Sequence, residues 1–144
     1  MTFEKSCGAV VYTTVNGEIR YVLIQELSGA WGFPKGHMEK EETEMQTALR
    51  EIDEEVHLKV DILKGFRATE TYAPREKANV VKQVVYFCAA YDRQELRAQD
   101  SELLQACLLT YEEALQRLTF EGSRRILREA RDFIQSQFVP SDRP

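Results

Sequence analysis

The segment GHMEKEETEMQTALREIDEEVHL, residues 36–58, decides how the rest of the chain is read. Thr43 followed by Gln46 makes a capping box, so the spacing predicts a helix from Thr43 to about Val56. Met45, Ala48, Leu49, Ile52 and Val56 then share one face, the expected packing stripe. On a wheel of about 100° per residue, Glu51, Glu54 and Glu55 fall within an arc of about 100°, well away from that stripe. Like charges so placed repel by about a few tenths of a kcal/mol per pair. Arg50 and Lys59 are near in sequence but lie outside the cluster on this reading. Either the acidic face is simply solvated, or a hard divalent cation with oxygen ligands offsets the repulsion.

The preceding loop favours the cation. Ser28 to Glu42 is rich in Gly and Pro yet carries Trp31 and Phe33, which marks an ordered loop rather than a linker. Backbone N–H groups around Lys35-Gly36-His37, together with the Lys35 ammonium, suit phosphate oxygens. An anion-binding loop leading into a carboxylate helix brings phosphate and metal together.

Further out, Ser6 to Thr13 reads as a strand, Asn16-Gly17 as a hairpin turn and Ile19 to Leu27 as the returning strand. Leu58 to Gly65 and Phe66 to Tyr72 read as short strands, Thr71 to Asn79 as a loop, Val80 to Tyr91 as a strong strand and Glu102 to Leu109 as a weaker one. Thr110 and Glu113 form a second capping box ahead of Ala114 to Leu118. A last helix runs from about Glu121 to Phe138, with Ile126, Ala130, Phe133, Ile134 and Phe138 mostly on one side, and Val139 to Pro144 is expected to fray. Strands interleaved with helices imply an α/β or α+β sandwich, and periodicity does not separate the two.

The 144 residues suit one domain, 1–144, and 43% hydrophobic with 30% charged residues is a soluble globular composition. No apolar run approaches a membrane span, and the N-terminus lacks a secretory pattern, so a cytoplasmic protein without membrane partners is expected. A net charge of -5 argues against stable binding of long nucleic acid, while bound cations still permit a small anionic ligand. Cys7, Cys88 and Cys107 are too few and too widely spaced for a disulfide framework or zinc ribbon, and Cys7 and Cys88 read as buried thiols. Oligomeric state is left open.

From Gly36 onward the sequence resembles the Nudix box. The matching positions are Gly36, Glu42, Arg50-Glu51, Ile52, Glu54-Glu55 and Leu58. His57 stands where the family has Gly, at a helix end that favours the left-handed conformation, so an adjusted helix end with the carboxylate cluster preserved is expected. Lys40-Glu41 also departs from a common Gly before the Glu. The resemblance implies the Nudix fold, an α/β/α sandwich with a mixed β-sheet between helices. It implies a Mg²⁺-dependent hydrolase of a nucleotide phosphoanhydride, with Mn²⁺ as a substitute ion. Glu51, Glu54 and Glu55, with the Gly36 carbonyl, would hold the metal, and Glu102 would be a further ligand or catalytic base. Arg50 would pair with Glu42 to hold the loop against the helix.

Beyond the box, Ser6-Cys7-Gly8-Ala9, Trp31 to His37, Gly65-Phe66, Tyr72, Lys82 with Val84 and Tyr86, and Glu102 are similar to the diadenosine tetraphosphate hydrolase branch of that superfamily. This implies a small-molecule nucleotide substrate, diadenosine tetraphosphate, split into ATP and AMP. Lys35, His37 and Lys82 would contact phosphate, and Tyr72 and Phe133 would stack on the base. Phe133 equally fits the apolar stripe of its helix. Triphosphates, RNA 5′ ends and other nucleoside diphosphate derivatives are alternative substrates, and a non-catalytic nucleotide-binding module is the alternative class.

Overall fold

The architecture grows from one long strand. In the computed structural model, which describes residues 1–74 and 77–137, β1 (Thr2–Val15) runs parallel to β7 (Val80–Ala90) from Thr2↔Val80 to Tyr12↔Ala90. On its other side β1 pairs antiparallel with β2 (Glu18–Glu26) only at Tyr12–Val15, and with β4 (Lys35–His37) at Ser6–Gly8. The hairpin turn at Asn16-Gly17 has φ of 52° and 82°, the positive values that a two-residue loop needs. β3 (Trp31–Gly32) and β8 (Leu103–Leu109) join β2, while β5 (Asp61–Ile62) and β6 (Ala68–Tyr72) join β7. The parallel β1–β7 pair makes the sheet mixed.

Alternation along the strands then sends side chains to two cores. Cys7, Ala9, Val11, Val85, Phe87 and Ala89 face α1 (Glu44–Val56). Val10, Tyr12, Val84, Tyr86 and Cys88 face α2 (Tyr111–Arg117) and α3 (Glu121–Ser136). The result is the α/β/α sandwich with helices on both faces. Cys7 and Cys88 are buried thiols, as their sequence context implies. No helix among the described residues is long and apolar enough to cross a membrane.

Both capping boxes form, Thr43 with Gln46 and Thr110 with Glu113. The helix between residues 43 and 56 is right, but its packing face is narrower than the sequence implies. Ala48, Ile52 and Val56 are buried together with Thr47, whereas Met45 and Leu49 are 46% and 40% exposed. The sheet covers only the i, i+4 ridge through Ala48, and Thr47 turns inward because its hydroxyl donates to Glu42.

Elsewhere the loop 28–42 contains β3 and β4, and the strand expected at Leu58–Gly65 shrinks to Asp61–Ile62. Thr71 and Tyr72 belong to β6 rather than to the following loop. His57 takes the left-handed conformation, φ 59° and ψ 39°, and its N–H donates to the Asp53 carbonyl at 2.9 Å. The helix therefore ends as it would with glycine. The sequence readings at Phe138 and 139–144 lie outside the described residues.

Candidate active site

Arg50 organises the junction of loop and helix. Its Nε and Nη2 donate to the two oxygens of Glu42 at 2.6 and 3.0 Å, and Nη2 also donates to the His37 carbonyl at 3.0 Å. Its Nη1 reaches Glu51 at 2.9 Å and Glu54 at 3.2 Å. The forked guanidinium thus clamps three carboxylates and a loop carbonyl at once. Arg50 therefore lies within the acidic cluster, contrary to the reading from the wheel, because its long side chain folds back across the face. Lys59 does stay outside, pairing with Asp53. Glu42 also accepts from Thr47 Oγ1 and the Glu39 N–H, and the Arg50 hydrogen bond is the main cause holding its carboxyl down at about 2.

Of the remaining carboxyls, Glu51 and Glu55 are partly withdrawn from water, while Glu54 and Glu102 are exposed. Glu51 lies against Gly36, where a Cβ would collide with its carboxyl, so glycine at residue 36 lets the carboxyl sit where it does. Burial raises the Glu51 carboxyl against the pull of Arg50, with Glu54 and Glu102 adding repulsion. Burial pushes Glu55 up to about 8 although the Lys35 N–H donates to it at 3.2 Å, and the charges of Glu51 and Glu102 push the same way. Glu102, just before β8, lines a cavity of about 380 Å³ with Glu55, Lys35 and Glu26. Lys35 Nζ stands 3.6 Å from Glu26.

As arranged, no three His, Cys, Asp or Glu side chains among the described residues enclose a metal position. The donor set nevertheless fits a hard cation. It offers only oxygens, two of its carboxyls are raised by burial, and they repel one another. A divalent ion would reverse both penalties.

A larger cavity of about 620 Å³ adjoins the first, with Lys35 and Glu26 lining both. Tyr72, 41% exposed, stands in its wall, and Lys82 lines it while pairing with Glu4 at 3.8 Å. Trp31 lines it too, with the Arg117 guanidinium 4.9 Å from the ring centroid. Its backbone N–H donates to Thr119 Oγ1 at 2.8 Å. Two candidates are not brought here. Phe133 packs on Phe66 with centroids 5.5 Å apart, and its ring closes over Gly65. The exposed His37 lines neither cavity and contributes its carbonyl to Arg50 instead.

Sequence reasoning missed Phe120, which lines the larger cavity and is 58% exposed. Its signal was its position: it is the N-cap of α3, yet it offers no capping side chain. Glu70 and Tyr86 also line this cavity, and only Tyr86 had been singled out.

A model of the NUDIX domain matches residues 5–130. The chain is 31% identical over 144 residues to the asymmetrical bis(5'-nucleosyl)-tetraphosphatases of Sus scrofa and Rattus norvegicus, covering 92% of this chain and 96% of each relative. The solved structure of a C. elegans Ap4A hydrolase binary complex superposes with a TM-score of 0.84 at 25% identity, covering 92% of this chain and 98% of that one. The clamped loop, the carboxylate helix and these likenesses agree: the chain belongs to the Nudix family of hydrolases.

Proposed function

We propose that this chain hydrolyses diadenosine tetraphosphate asymmetrically, to ATP and AMP, with Mg²⁺ as its ion and Mn²⁺ as a substitute. The observation that carries the reading is the adjacency of the two cavities. One is acidic, the other has aromatic walls, and Lys35 lines both. A polyphosphate with a base at its end needs that sequence of environments.

Glu51, Glu54 and Glu55, with the Gly36 carbonyl, would hold Mg²⁺. When bound, the ion supplies positive charge to phosphate oxygens and lowers the cost of charge at phosphorus. Arg50 and Glu42 keep the loop at a fixed distance from the helix. Arg50 Nη1, which donates to Glu51 and Glu54, would share those carboxylates with the ion. Glu102, exposed beside Glu55, holds the attacking water and accepts its proton. Lys35 and Lys82 neutralise the phosphate chain. Tyr72 and Phe120 stack on adenine, while Phe133 serves packing. The likeness to the pig and rat enzymes supports this substrate over other Nudix substrates.

Product analysis tests the proposal. The protein with Mg²⁺ and diadenosine tetraphosphate should yield equimolar ATP and AMP, and Glu54→Gln should lose turnover while keeping its fold. Absence of cleavage, alongside pyrophosphate release from nucleoside triphosphates, would overturn it.

A further inference from the structure

Two aromatic residues of the larger cavity come from segments far apart in the chain, Trp31 of β3 and Phe120 of the connection between α2 and α3. Among the described residues Phe120 belongs to neither apolar core, and it is 58% exposed, so its backbone rather than packing sets where its ring stands. That backbone is tied on both sides. Arg124 Nη1 donates to the Leu118 carbonyl at 2.6 Å. Thr119 forms a reciprocal pair with Trp31: its N–H donates to the Trp31 carbonyl at 3.3 Å, and its Oγ1 accepts from the Trp31 N–H at 2.8 Å. β3 has β2 on one edge, and at Trp31 the other edge is taken by Thr119. The Thr119 hydroxyl thus plays the part of the carbonyl that a further strand would offer. Arg117, from the end of α2, lays its guanidinium over the Trp31 ring.

We propose that Thr119 is a positioning residue for the ligand of the larger cavity, fixing the spacing between Trp31 and Phe120 through its hydroxyl. This rests on the nucleotide reading above. An aromatic face contributes to stacking only at van der Waals separation, so a wall free to drift loses part of its contact. Lys35, shared by the two cavities, is held separately, by the buried Phe33 just before it and by the pairing of β4 with β1. Loss of the Thr119 tie therefore weakens ligand binding and leaves the acidic cavity as it is.

Thr119→Val keeps the branched shape and the backbone N–H but removes the oxygen, whereas Thr119→Ser keeps the oxygen. The tie lies at the surface, so water can serve the Trp31 N–H in the valine variant and the fold should be retained. With diadenosine tetraphosphate and Mg²⁺, Thr119→Val should raise KM by roughly 3- to 10-fold and change kcat by less than about twofold, and Thr119→Ser should restore KM. AMP, which has no anhydride bond, gives the same comparison without turnover. Titration followed by the fluorescence of Trp31, the chain's single tryptophan, should show its Kd rising by the same factor in the valine variant alone. A KM and an AMP Kd unchanged by valine overturn the proposal. So does an equal loss in the serine variant, or a fall in kcat without a rise in KM. If the wild type does not cleave the tetraphosphate, the proposed activity fails, while the AMP titration still decides Thr119. If the wild type takes up no AMP either, the proposal fails with it.

Discussion

Replacing Glu55 with Gln should stabilise the metal-free protein at alkaline pH while abolishing its response to Mg²⁺. The Glu55 carboxyl sits in the folded chain at about 8 against an ordinary 4.5, chiefly through burial, with Glu51 and Glu102 adding repulsion. A carboxyl raised by folding binds its proton more tightly in the native state. Its contribution is therefore fully present below the unfolded value of 4.5 and is lost as pH rises toward 8. At about 1.4 kcal/mol per pH unit the whole displacement is worth up to about 5 kcal/mol. Water reaching the open cavity screens part of this and leaves about 2–4 kcal/mol. The neutral amide has no such penalty, and its oxygen can still accept from the Lys35 N–H.

Urea unfolding in EDTA measures the effect. Near about pH 5 the two proteins should differ by less than about 1 kcal/mol, whereas at about pH 8.5 Glu55→Gln should be the more stable by about 2–4 kcal/mol. Added Mg²⁺ should restore stability to the wild type, with an affinity that climbs with pH because the proton competes for the same oxygens. Parallel stability curves for the two proteins between these pH values would refute the argument, since Glu55 would then ionise alike in both states.

Arg50→Lys keeps the charge but loses the fork on Glu42, so turnover should fall by about 10- to 100-fold with the fold retained. Near-normal kcat would show that the loop needs no such clamp. His57→Gly should raise stability by about 1 kcal/mol, because glycine occupies the left-handed end of α1 without the Cβ penalty. A lower melting temperature would mean that the His57 side chain contributes more than its conformation costs. Phe120→Ala should raise KM by about 5- to 100-fold with little change in stability. Phe133→Ala should instead cost about 1–3 kcal/mol of stability and leave KM in place, and the opposite pattern would return base stacking to Phe133.

Local features of the fold were legible in the sequence because they rest on neighbours in the chain. Thr43–Gln46, Thr110–Glu113 and Asn16-Gly17 each satisfy their hydrogen bonds or dihedrals within four residues, and all form. The family resemblance carried by residues 36–58 likewise implied the Glu42–Arg50 pair, which forms. Breadth was not legible. The apolar positions Met45 and Leu49 look the same on a wheel as Ala48 and Ile52, and the sheet leaves the first two outside. The reach of Arg50 also escaped, since a helical wheel places Cβ atoms and says nothing of a long side chain folded across its neighbours.

By itself, then, the sequence determined the caps, the hairpin turn, the carboxylate helix and the resemblance to the family, but not β3 or β4. It placed a glycine at residue 36, but the adjusted helix end expected at His57 does not occur, since His57 takes the left-handed conformation itself. Tertiary structure decided which aromatic faces the cavity, Phe120 rather than Phe133, and set Glu70 on its floor. It also withdrew Glu51 and Glu55 of the acidic face from water, by laying β4 over them, and left Glu54 exposed. The physical reason is one of range. Hydrogen-bonded caps and turns close within a few residues. The cost of a buried charge depends on whatever distant strands remove its water, and no local pattern records that.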